Sequence, residues 1–342
     1  MRVVVVGATG AVGTEMLKIL AERGLDAHDV VAVASQRSAG RKLEFAGRTL
    51  EVQVLGPDVF TDGDLALFDV PDEVSREWAP IAAAAGAVVV DNSAAWRMDP
   101  DVPLVVPEVN AADAQVRPKG IIASPNCTAL AIAVPLGALN ERVPLTRVIC
   151  ASYQAASGAG KAGVDDLWDQ TLRIVKDPET AREGLGRDVL EPGNAFAHPL
   201  AMNVIPQIGS VKDNGFTSEE IKVGEEIRKI LGAPDLPLTA TCVRVPVVTG
   251  HAVAVHAEFA RPIDPDTARA ILAETPGVEV VDDPGNARYP TPLEAAGRDP
   301  AYVGRIRQDP HDERALELFC AADNLRKGAA LNTVQIAELL VR

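Results

Sequence analysis

The feature that most constrains the fold is a glycine-rich turn at the start of the chain. Residues 3–6 are four valines in succession, and the segment GATGAVG follows them at 7–13. Apolar side chains then recur at helical spacing, so the pattern predicts a strand, a tight turn and a helix. Such a turn brings backbone N–H groups and a helix N-terminus up to a pyrophosphate. The GxxGxxG spacing is a variant of the dinucleotide fingerprint, and a plain strand-to-helix turn is the alternative. The predicted contacts are Gly7, Thr9, Gly10, Ala11, Val12 and Gly13.

The end of the second predicted strand, at residues 30–33, indicates which dinucleotide is bound. A site for NAD usually places an acid here to bind the ribose 2′-hydroxyl. This chain instead has Ser35, Arg37 and Ser38. Two hydroxyls and an arginine suit a 2′-phosphate, so the sequence predicts NADP. The alternative is that Arg37 is an ordinary solvated loop residue.

The remaining apolar segments of this half predict further strands at 51–55, 65–70 and 87–90. Short helical or loop segments separate them, as a doubly wound parallel sheet requires. At 342 residues the chain is long enough for two domains. A net charge of −15 argues against a nucleic-acid or anionic-membrane partner. No apolar stretch approaches the roughly 20 residues of a membrane span.

The four cysteines lie at 127, 150, 242 and 320. They form no CxxC pair and no metal-ligand spacing, so no metal is predicted, and their sparseness suits a cytoplasmic protein. Cys127 lies between a predicted strand at 120–123 and a predicted helix of about three turns. At such a turn the helix dipole favours the thiolate, which attacks carbonyls. The alternative for a single cysteine is a small buried hydrophobe.

The second half predicts longer strands, at 148–154, 241–247 and 251–259. Arg244 and His251 lie on either side of the bend between the last two, so we expect both to reach one pocket. A helix is predicted from Ser218, with that residue as its N-cap. Residues 322–342 predict an amphipathic helix that returns to the first domain.

Six segments together resemble the aspartate-semialdehyde dehydrogenase family over essentially the whole chain. They are GATGAVG at 7–13, DNSAAWR at 91–97, SPNCT at 124–128, NVIPQ at 203–207, EEIK at 219–222 and DNLRKGAA at 323–330. The resemblance implies a Rossmann-type doubly wound sheet in 1–127 with 325–342, which binds NADP. It also implies an α+β catalytic and dimerisation domain with a mixed sheet in 128–324.

The resemblance further implies a reaction, in which 4-aspartyl phosphate is reduced to aspartate 4-semialdehyde with release of phosphate. Cys127 would form a thioester, His251 would act as acid and base, and Gln154 would orient the substrate. Backbone N–H groups at the start of the helix after Asn126 would stabilise the oxyanion. The implied pathway is amino-acid biosynthesis from aspartate, towards lysine, threonine, methionine and isoleucine. The implied assembly is a homodimer, with a homotetramer as the alternative.

The substrate and cofactor contacts follow from the same resemblance. Arg244 would bind the α-carboxylate and Glu219 the α-ammonium, while Arg97 and Lys222 would hold phosphate. Asn126 is placed with the substrate, and Ser157, Gly158 and Asn324 with the cofactor. Two alternatives stay open. Glu219 and Lys222 could be only an exposed pair on a helix. Arg97 could be a loop cation bound to the acids that follow it.

One segment departs from the family pattern. Many members have a Ser-Ala-Gly-Gly-type turn where residues 69–75 here read DVPDEVS. Pro71 lacks an N–H donor, and the acids would repel a pyrophosphate, so the preference for NADP stays open. The competing family is N-acetyl-γ-glutamyl-phosphate reductase, whose cysteine follows proline and glycine. A non-catalytic paralogue is the other alternative, although it would be expected to lack the cysteine or the histidine.

Overall fold

The computed structural model describes residues 2–25, 29–183 and 190–341. The chain divides into two compact units. The first comprises residues 1–134, 225–234 and 325–342, and the second comprises 135–224 and 235–324. No helix in the described ranges is long and apolar enough to cross a membrane.

The first unit is built on a six-stranded sheet in which every neighbouring pair is parallel. The strands of this unit are β1 Arg2–Val6, β2 Asp29–Ala34, β3 Lys42–Phe45, β4 Arg48–Glu51, β5 Gln53–Val54, β6 Leu65–Phe68, β7 Val88–Asp91 and β8 Ile121–Ala123. The order in the sheet is β5-β2-β1-β6-β7-β8, so the chain winds outward in both directions from β1. β3 and β4 form a separate antiparallel pair. This confirms the predicted doubly wound sheet, in which ligands bind at the carboxyl ends of the strands where the winding reverses.

The core of this unit joins the sheet to its first and last helices. Val3, Met16 and Val334 are fully buried in one cluster, which also contains Leu331 and Ile336 near the end of the chain. Burial of such side chains removes apolar surface from water, and each contributes about 1.5–3 kcal/mol to the stability of the folded state. The helices wholly within this unit are Ala11–Glu22, Asp72–Ala84, Pro107–Asn110 and Leu331–Val341, with a π-helical turn at Arg326–Ala330.

The predicted start of the last helix, at residue 322, is wrong. Ala322 is the final residue of a strand, and helical structure begins at Arg326. The apolar run before the helix fits a buried strand and a buried helix equally well, so periodicity alone does not separate them.

The strands of the second unit are β9 Leu145–Gln154, β10 Leu238–Arg244, β11 His251–Phe259, β12 Val278–Val280, β13 Ala301–Gln308 and β14 Ala315–Ala322. They form a mixed six-stranded sheet in the order β10-β9-β11-β14-β13-β12. β9–β10 and β12–β13 are parallel pairs, and the other neighbours are antiparallel. The mixed sheet predicted for this half is confirmed. Among the described residues, the helices wholly within this unit are Gly160–Lys176, Pro178–Arg182, Pro265–Ala273 and Pro292–Ala295.

The chain passes between the units at four points, and two of these lie within the helices Cys127–Arg142 and Ser218–Ile230. The start of the second corrects a prediction, because Thr217 and not Ser218 is its cap. The Thr217 hydroxyl accepts the N–H of Glu220 (3.3 Å), and the Glu220 carboxylate accepts the N–H of Thr217 (2.8 Å). This reciprocal pair is a capping box. The Ser218 hydroxyl instead accepts the N–H of Ser210 (3.1 Å).

Candidate active site

Cys127 is the first residue of the helix Cys127–Arg142. Asn126 caps this helix, since its Oδ1 accepts the N–H groups of Thr128 (2.8 Å) and Ala129 (3.3 Å). Cys127 is half-buried, whereas Asn126 is buried. Cys127 therefore lies at the positive end of a helix and keeps part of its surface exposed, which is the setting of reactive cysteines.

The same cap engages some of the expected oxyanion donors. Backbone N–H groups at the start of the helix after Asn126 are predicted to stabilise the oxyanion. Two of them, those of Thr128 and Ala129, donate to the side chain of Asn126. The N–H of Asn126 itself donates to Glu226 Oε2 (2.5 Å). These bonds stabilise the turn, and the oxyanion site stays a prediction.

The other three cysteines lie on strands of the second unit. Cys150, Cys242 and Cys320 are buried on β9, β10 and β14. Burial raises the pKa of each thiol to about 12. They are therefore protonated at neutral pH and poor nucleophiles.

His251 begins β11 and is fully buried. Burial lowers its pKa to about 3, and the positive charge of Arg244 acts in the same direction. The N–H of Ala155 donates to Nδ1 (3.1 Å), so the neutral ring carries its proton on Nε2. At neutral pH His251 is thus an uncharged imidazole with a fixed orientation.

The loop before His251 is fastened by Asn324. Its Oδ1 accepts the N–H of Gly250 (2.8 Å), and its Nδ2 donates to Ser157 Oγ (2.9 Å). Both Ser157 and Asn324 were predicted to contact the cofactor. In this unit they also support the loop that carries the histidine.

Arg244 and His251 both lie against Gly158. A Cβ added to Gly158 would be 2.6 Å from Arg244 Nη1 and 3.2 Å from His251 Cε1, so a side chain there would displace them. Arg244 Nη1 donates to the carbonyl oxygen of Ala155 (2.6 Å). Its guanidinium lies 5.6 Å from the ring centroid of Phe196.

A cavity of about 520 Å³ adjoins Arg244 in the second unit. A pocket of this size holds a small molecule, and the guanidinium in its wall is suited to a carboxylate. The other lining residues include Phe196, His198, Ile205, Gln207 and Gly209.

Gln154 and Glu219 are joined directly. Gln154 Nε2 donates to Glu219 Oε1 (3.2 Å), and its Oε1 accepts from the hydroxyl of Ser152 (3.1 Å). Lys222 is half-buried, and its side chain makes no hydrogen bond or ion pair within the described part of the chain. The alternative of a Glu219–Lys222 helical ion pair is therefore not seen among these residues.

The glycine-rich turn of the first unit has the backbone that its sequence predicts. Gly7 has φ +94°, and a Cβ there would lie 1.9 Å from the carbonyl oxygen of Asp69. A Cβ on Gly13 would lie 2.2 Å from the carbonyl oxygen of Gly7. Only glycine fits either position.

The helix that follows this turn, Ala11–Glu22, fits a bound dinucleotide. It has no side-chain cap on its N-terminus, and no acid lies in its described first turn. Its free N–H groups and positive end are suited to a phosphate. The hydroxyls of Thr9 and Ser38 lie 3.2 Å apart, which joins the turn to the loop after β2. Ser35 and Arg37 are exposed on that loop, and Arg37 has no ion pair in the ranges described.

In the atypical segment at 69–75, the helix Asp72–Ala84 begins at the fourth residue. Two of the acids of this segment accept hydrogen bonds. Asp72 Oδ1 accepts the N–H of Ala94 (2.9 Å), and Asp69 Oδ1 accepts from Asn92 Nδ2 (3.0 Å). Burial raises the pKa of Asp69. Acids in the first turn of a helix are also stabilised by its dipole. Two of these carboxylates thus have hydrogen-bond donors within the first unit, which the sequence does not show.

Arg97 is buried in the first unit and does not bind the acids that follow it. Its Nε donates to the carbonyl oxygen of Ser124 (2.9 Å), Nη2 to that of Asn92 (2.8 Å) and Nη1 to Glu226 Oε1 (3.1 Å). Glu226 was not among the residues predicted from the sequence. It lies between Val223 and Ile227, which are apolar and buried on the same helix, and this position is the one pattern that indicates a buried acid.

Comparison with known proteins decides the family. The family model described as "Semialdehyde dehydrogenase, NAD binding domain" matches residues 2–116, and "Semialdehyde dehydrogenase, dimerisation domain" matches 136–327. The aspartate-semialdehyde dehydrogenase of Streptomyces akiyoshiensis is 48% identical, over 99% of this chain and 98% of the relative. This chain belongs to the aspartate-semialdehyde dehydrogenase family. The resemblance read from the motifs is thereby confirmed.

Further members of the aspartate-semialdehyde dehydrogenase family agree in sequence and in fold. The protein of Aquifex aeolicus is 44% identical, over 100% of this chain and 98% of its own. The crystal structure of aspartate semialdehyde dehydrogenase II from Vibrio cholerae, complexed with ASA, is 42% identical with a TM-score of 0.92. That match covers 100% of this chain and 98% of the other.

Proposed function

We propose that this chain is an NADP-dependent aspartate-semialdehyde dehydrogenase. It reduces 4-aspartyl phosphate to aspartate 4-semialdehyde, and in reverse it oxidises the aldehyde with uptake of phosphate. The observation that carries the proposal is Cys127, the accessible cysteine at a capped helix N-terminus within a chain of this family. Bound NADPH supplies the hydride.

Cys127 acts as the nucleophile. Its thiolate attacks the carbonyl carbon of the acyl phosphate, a C–S bond forms, and the C–O bond to phosphate breaks. The resulting thioester is reduced to a thiohemiacetal. Its collapse breaks the C–S bond, releases the aldehyde and returns the thiolate.

His251 handles the proton. As a neutral ring with hydrogen on Nε2, it first donates a hydrogen bond to the substrate oxygen on which charge develops. Proton uptake by the ring at Nε2 requires the other tautomer, in which Nδ1 gives up its contact with the Ala155 N–H. The two stages differ in which nitrogen carries the proton, and this difference can be tested by substitution.

The remaining polar groups bind the substrate. Arg244 takes the α-carboxylate and Glu219 the α-ammonium, while Gln154 is held by Glu219 and orients the reacting carbonyl. Lys222 and Arg97 hold the phosphate. Of these two, Lys222 is the better supported, because three donors of Arg97 already bind protein groups.

NADP binds on the glycine-rich turn, with the pyrophosphate at the uncapped N-terminus of the helix Ala11–Glu22. The hydroxyls of Ser35 and Ser38 and the guanidinium of Arg37 receive the 2′-phosphate. Ser157, Gly158 and Asn324 serve the nicotinamide end.

The match of a dimerisation-domain model to residues 136–327 supports an oligomeric assembly. We propose a cytoplasmic homodimer, with a homotetramer as the alternative. Its product would enter the biosynthesis of aspartate-derived amino acids.

The test is a steady-state assay on purified protein with a panel of substrates. We expect reduction of NADP that requires both aspartate semialdehyde and phosphate, with NAD a poorer acceptor. Activity with N-acetylglutamate semialdehyde alone would move the protein to the competing family. No activity with either aldehyde would favour the non-catalytic paralogue.

A further inference from the structure

Glu226 is a buried carboxylate of the first unit. It lies on the helix Ser218–Ile230, and only 1% of its surface is exposed. Both carboxylate oxygens are bonded: Oε2 accepts the N–H of Asn126 (2.5 Å), and Oε1 accepts Nη1 of Arg97 (3.1 Å). A carboxylate at this depth is costly unless it is paired, and truncating one partner of such a pair is strongly destabilising.

Both partners of Glu226 support the turn that carries Cys127. Asn126 precedes the cysteine and caps its helix through Thr128 and Ala129. Arg97 donates from Nε to the carbonyl oxygen of Ser124, two residues before Asn126. One carboxylate therefore fixes the turn twice, directly at the N–H of Asn126 and through the guanidinium at Ser124.

Lys229 reinforces the arrangement from the same helix. It is three residues after Glu226, so the two side chains share one face. Its ammonium donates to the carbonyl oxygens of Arg97 (2.7 Å), Asp99 (2.8 Å) and Val102 (2.8 Å). The helix thus holds both the cysteine turn and the segment that contains Arg97.

We propose that Glu226 is a positioning residue for the nucleophile, setting the place of Cys127 through Asn126 and Arg97. Glu226 does not touch the substrate in this account, which rests on the proposed function for its effect on turnover. Its effect on the sulfur itself is independent of any substrate. The two effects can be measured separately.

The test is Glu226→Gln, assayed for turnover and for the pH dependence of Cys127 alkylation by iodoacetamide. In glutamine an NH2 group replaces one of the two carboxylate oxygens, so the side chain cannot accept from both Asn126 and Arg97 in the arrangement seen here. We expect kcat to fall roughly 10- to 100-fold because a displaced nucleophile loses alignment, with the KM for aspartate semialdehyde within about threefold. Removing a negative charge near the thiol should also lower the midpoint of alkylation, the pH at which alkylation of Cys127 is half-maximal, by roughly half a pH unit to one pH unit.

A larger thiolate fraction at Cys127 together with slower turnover would indicate that the nucleophile has lost its position. A general loss of folding would not produce this combination. The matched control is Glu225→Gln, the neighbouring half-buried acid, which should leave both readouts unchanged. If Glu226→Gln does not fold, Glu226→Asp decides the question. It keeps the charge but is too short for both partners, so kcat should fall while the midpoint stays.

The proposal is overturned if either Glu226 variant turns over like the wild type with an unchanged midpoint. It is also overturned if Glu225→Gln causes the same loss. If wild-type protein does not act on aspartate semialdehyde, the proposed function fails. The alkylation comparison then still decides the role of Glu226.

Discussion

Two regions of this protein hold cysteines, and they differ in what surrounds the sulfur. In the first unit, Cys127 begins a helix that is capped by Asn126, and it is half-buried. In the sheet of the second unit, Cys150, Cys242 and Cys320 are buried, and burial raises each pKa to about 12. The same side chain is suited to attack in one region and to packing in the other. The difference lies in the position of the residue within its element and in its access to water.

The largest effect on kcat should come from replacing the sulfur of Cys127 with oxygen, compared with the same replacement in the sheet of the second unit. Cys127→Ser should lower kcat by ~1,000-fold or more, because a hydroxyl is a far weaker nucleophile than a thiolate at neutral pH. Cys320→Ser, assayed with NADP, aspartate semialdehyde and phosphate, should retain most of the activity of the folded protein. Equal losses in the two variants would break the distinction between the regions.

Substitution of His251 tests whether a residue on the sheet of the second unit takes part in the reaction although the cysteines of that sheet do not. His251→Asn should lower kcat by about 10²- to 10⁴-fold, since the proton-handling group is lost. His251→Gln should lose less, because its amide can donate from nearly the position of Nε2. The kcat values of the two variants, measured at saturating substrate, decide this. If asparagine and glutamine are equally damaging, the hydrogen-bond donor role is excluded.

Stability should show the opposite order from activity. Cys320 faces the interior and is 1% exposed, on a strand between β11 and β13. Cys320→Ser should lower the free energy of unfolding by about 1–3 kcal/mol, the usual cost of burying a hydroxyl without a matched partner. Urea unfolding with Cys127→Ser as the control checks this. A larger loss in the Cys127 variant would contradict the assignment of the sheet cysteines to the core.

The smallest effect should come from a charged cluster on the same sheet. His256 on β11 lies 2.7 Å from Glu317, 3.5 Å from Glu258 and 3.8 Å from Asp309. Burial lowers the pKa of His256, but the hydrogen bond and charge of Glu317 and then those of Glu258 outweigh it, so the pKa is raised.

A raised histidine pKa stabilises the folded state fully below the unfolded value of about 6.5, and the contribution is lost as pH rises through the folded pKa. His256→Gln should therefore cost about 0.5–1 kcal/mol at pH 5.5 and less at pH 9. Urea unfolding at the two pH values measures this. An equal cost at both would show that the charge of His256 does not stabilise the sheet.

Local features of the fold were readable from the sequence. The glycine turn follows from backbone sterics at Gly7 and Gly13, and the strand at 251–259 follows from alternation and matches the structure residue for residue. Helix and strand ends were less accurate, since Thr217 caps a helix predicted to be capped by Ser218. Adjacent hydroxyl residues are equivalent as caps until the capping box is seen.

Long-range partners could not be read from the sequence. Glu226 is separated from Asn126 by 100 residues and from Arg97 by 129. No periodicity connects residues so far apart, and only the folded chain shows that Arg97 pairs with this acid and not with Asp99 or Asp101. The partners of the Thr128 and Ala129 N–H groups could not be predicted for the same reason, because the choice of Asn126 as cap is a property of the folded turn.

Among the four cysteines, we infer that only the sulfur of Cys127 is poised to react. Brief treatment of native protein with iodoacetamide at neutral pH, followed by peptide mapping of all four cysteines, measures this. We expect labelling of Cys127 at least ~100-fold faster than of Cys150, Cys242 or Cys320, since a thiol with a pKa of about 12 is almost wholly protonated. Labelling of a sheet cysteine as fast as Cys127, in protein shown to be folded, would contradict it.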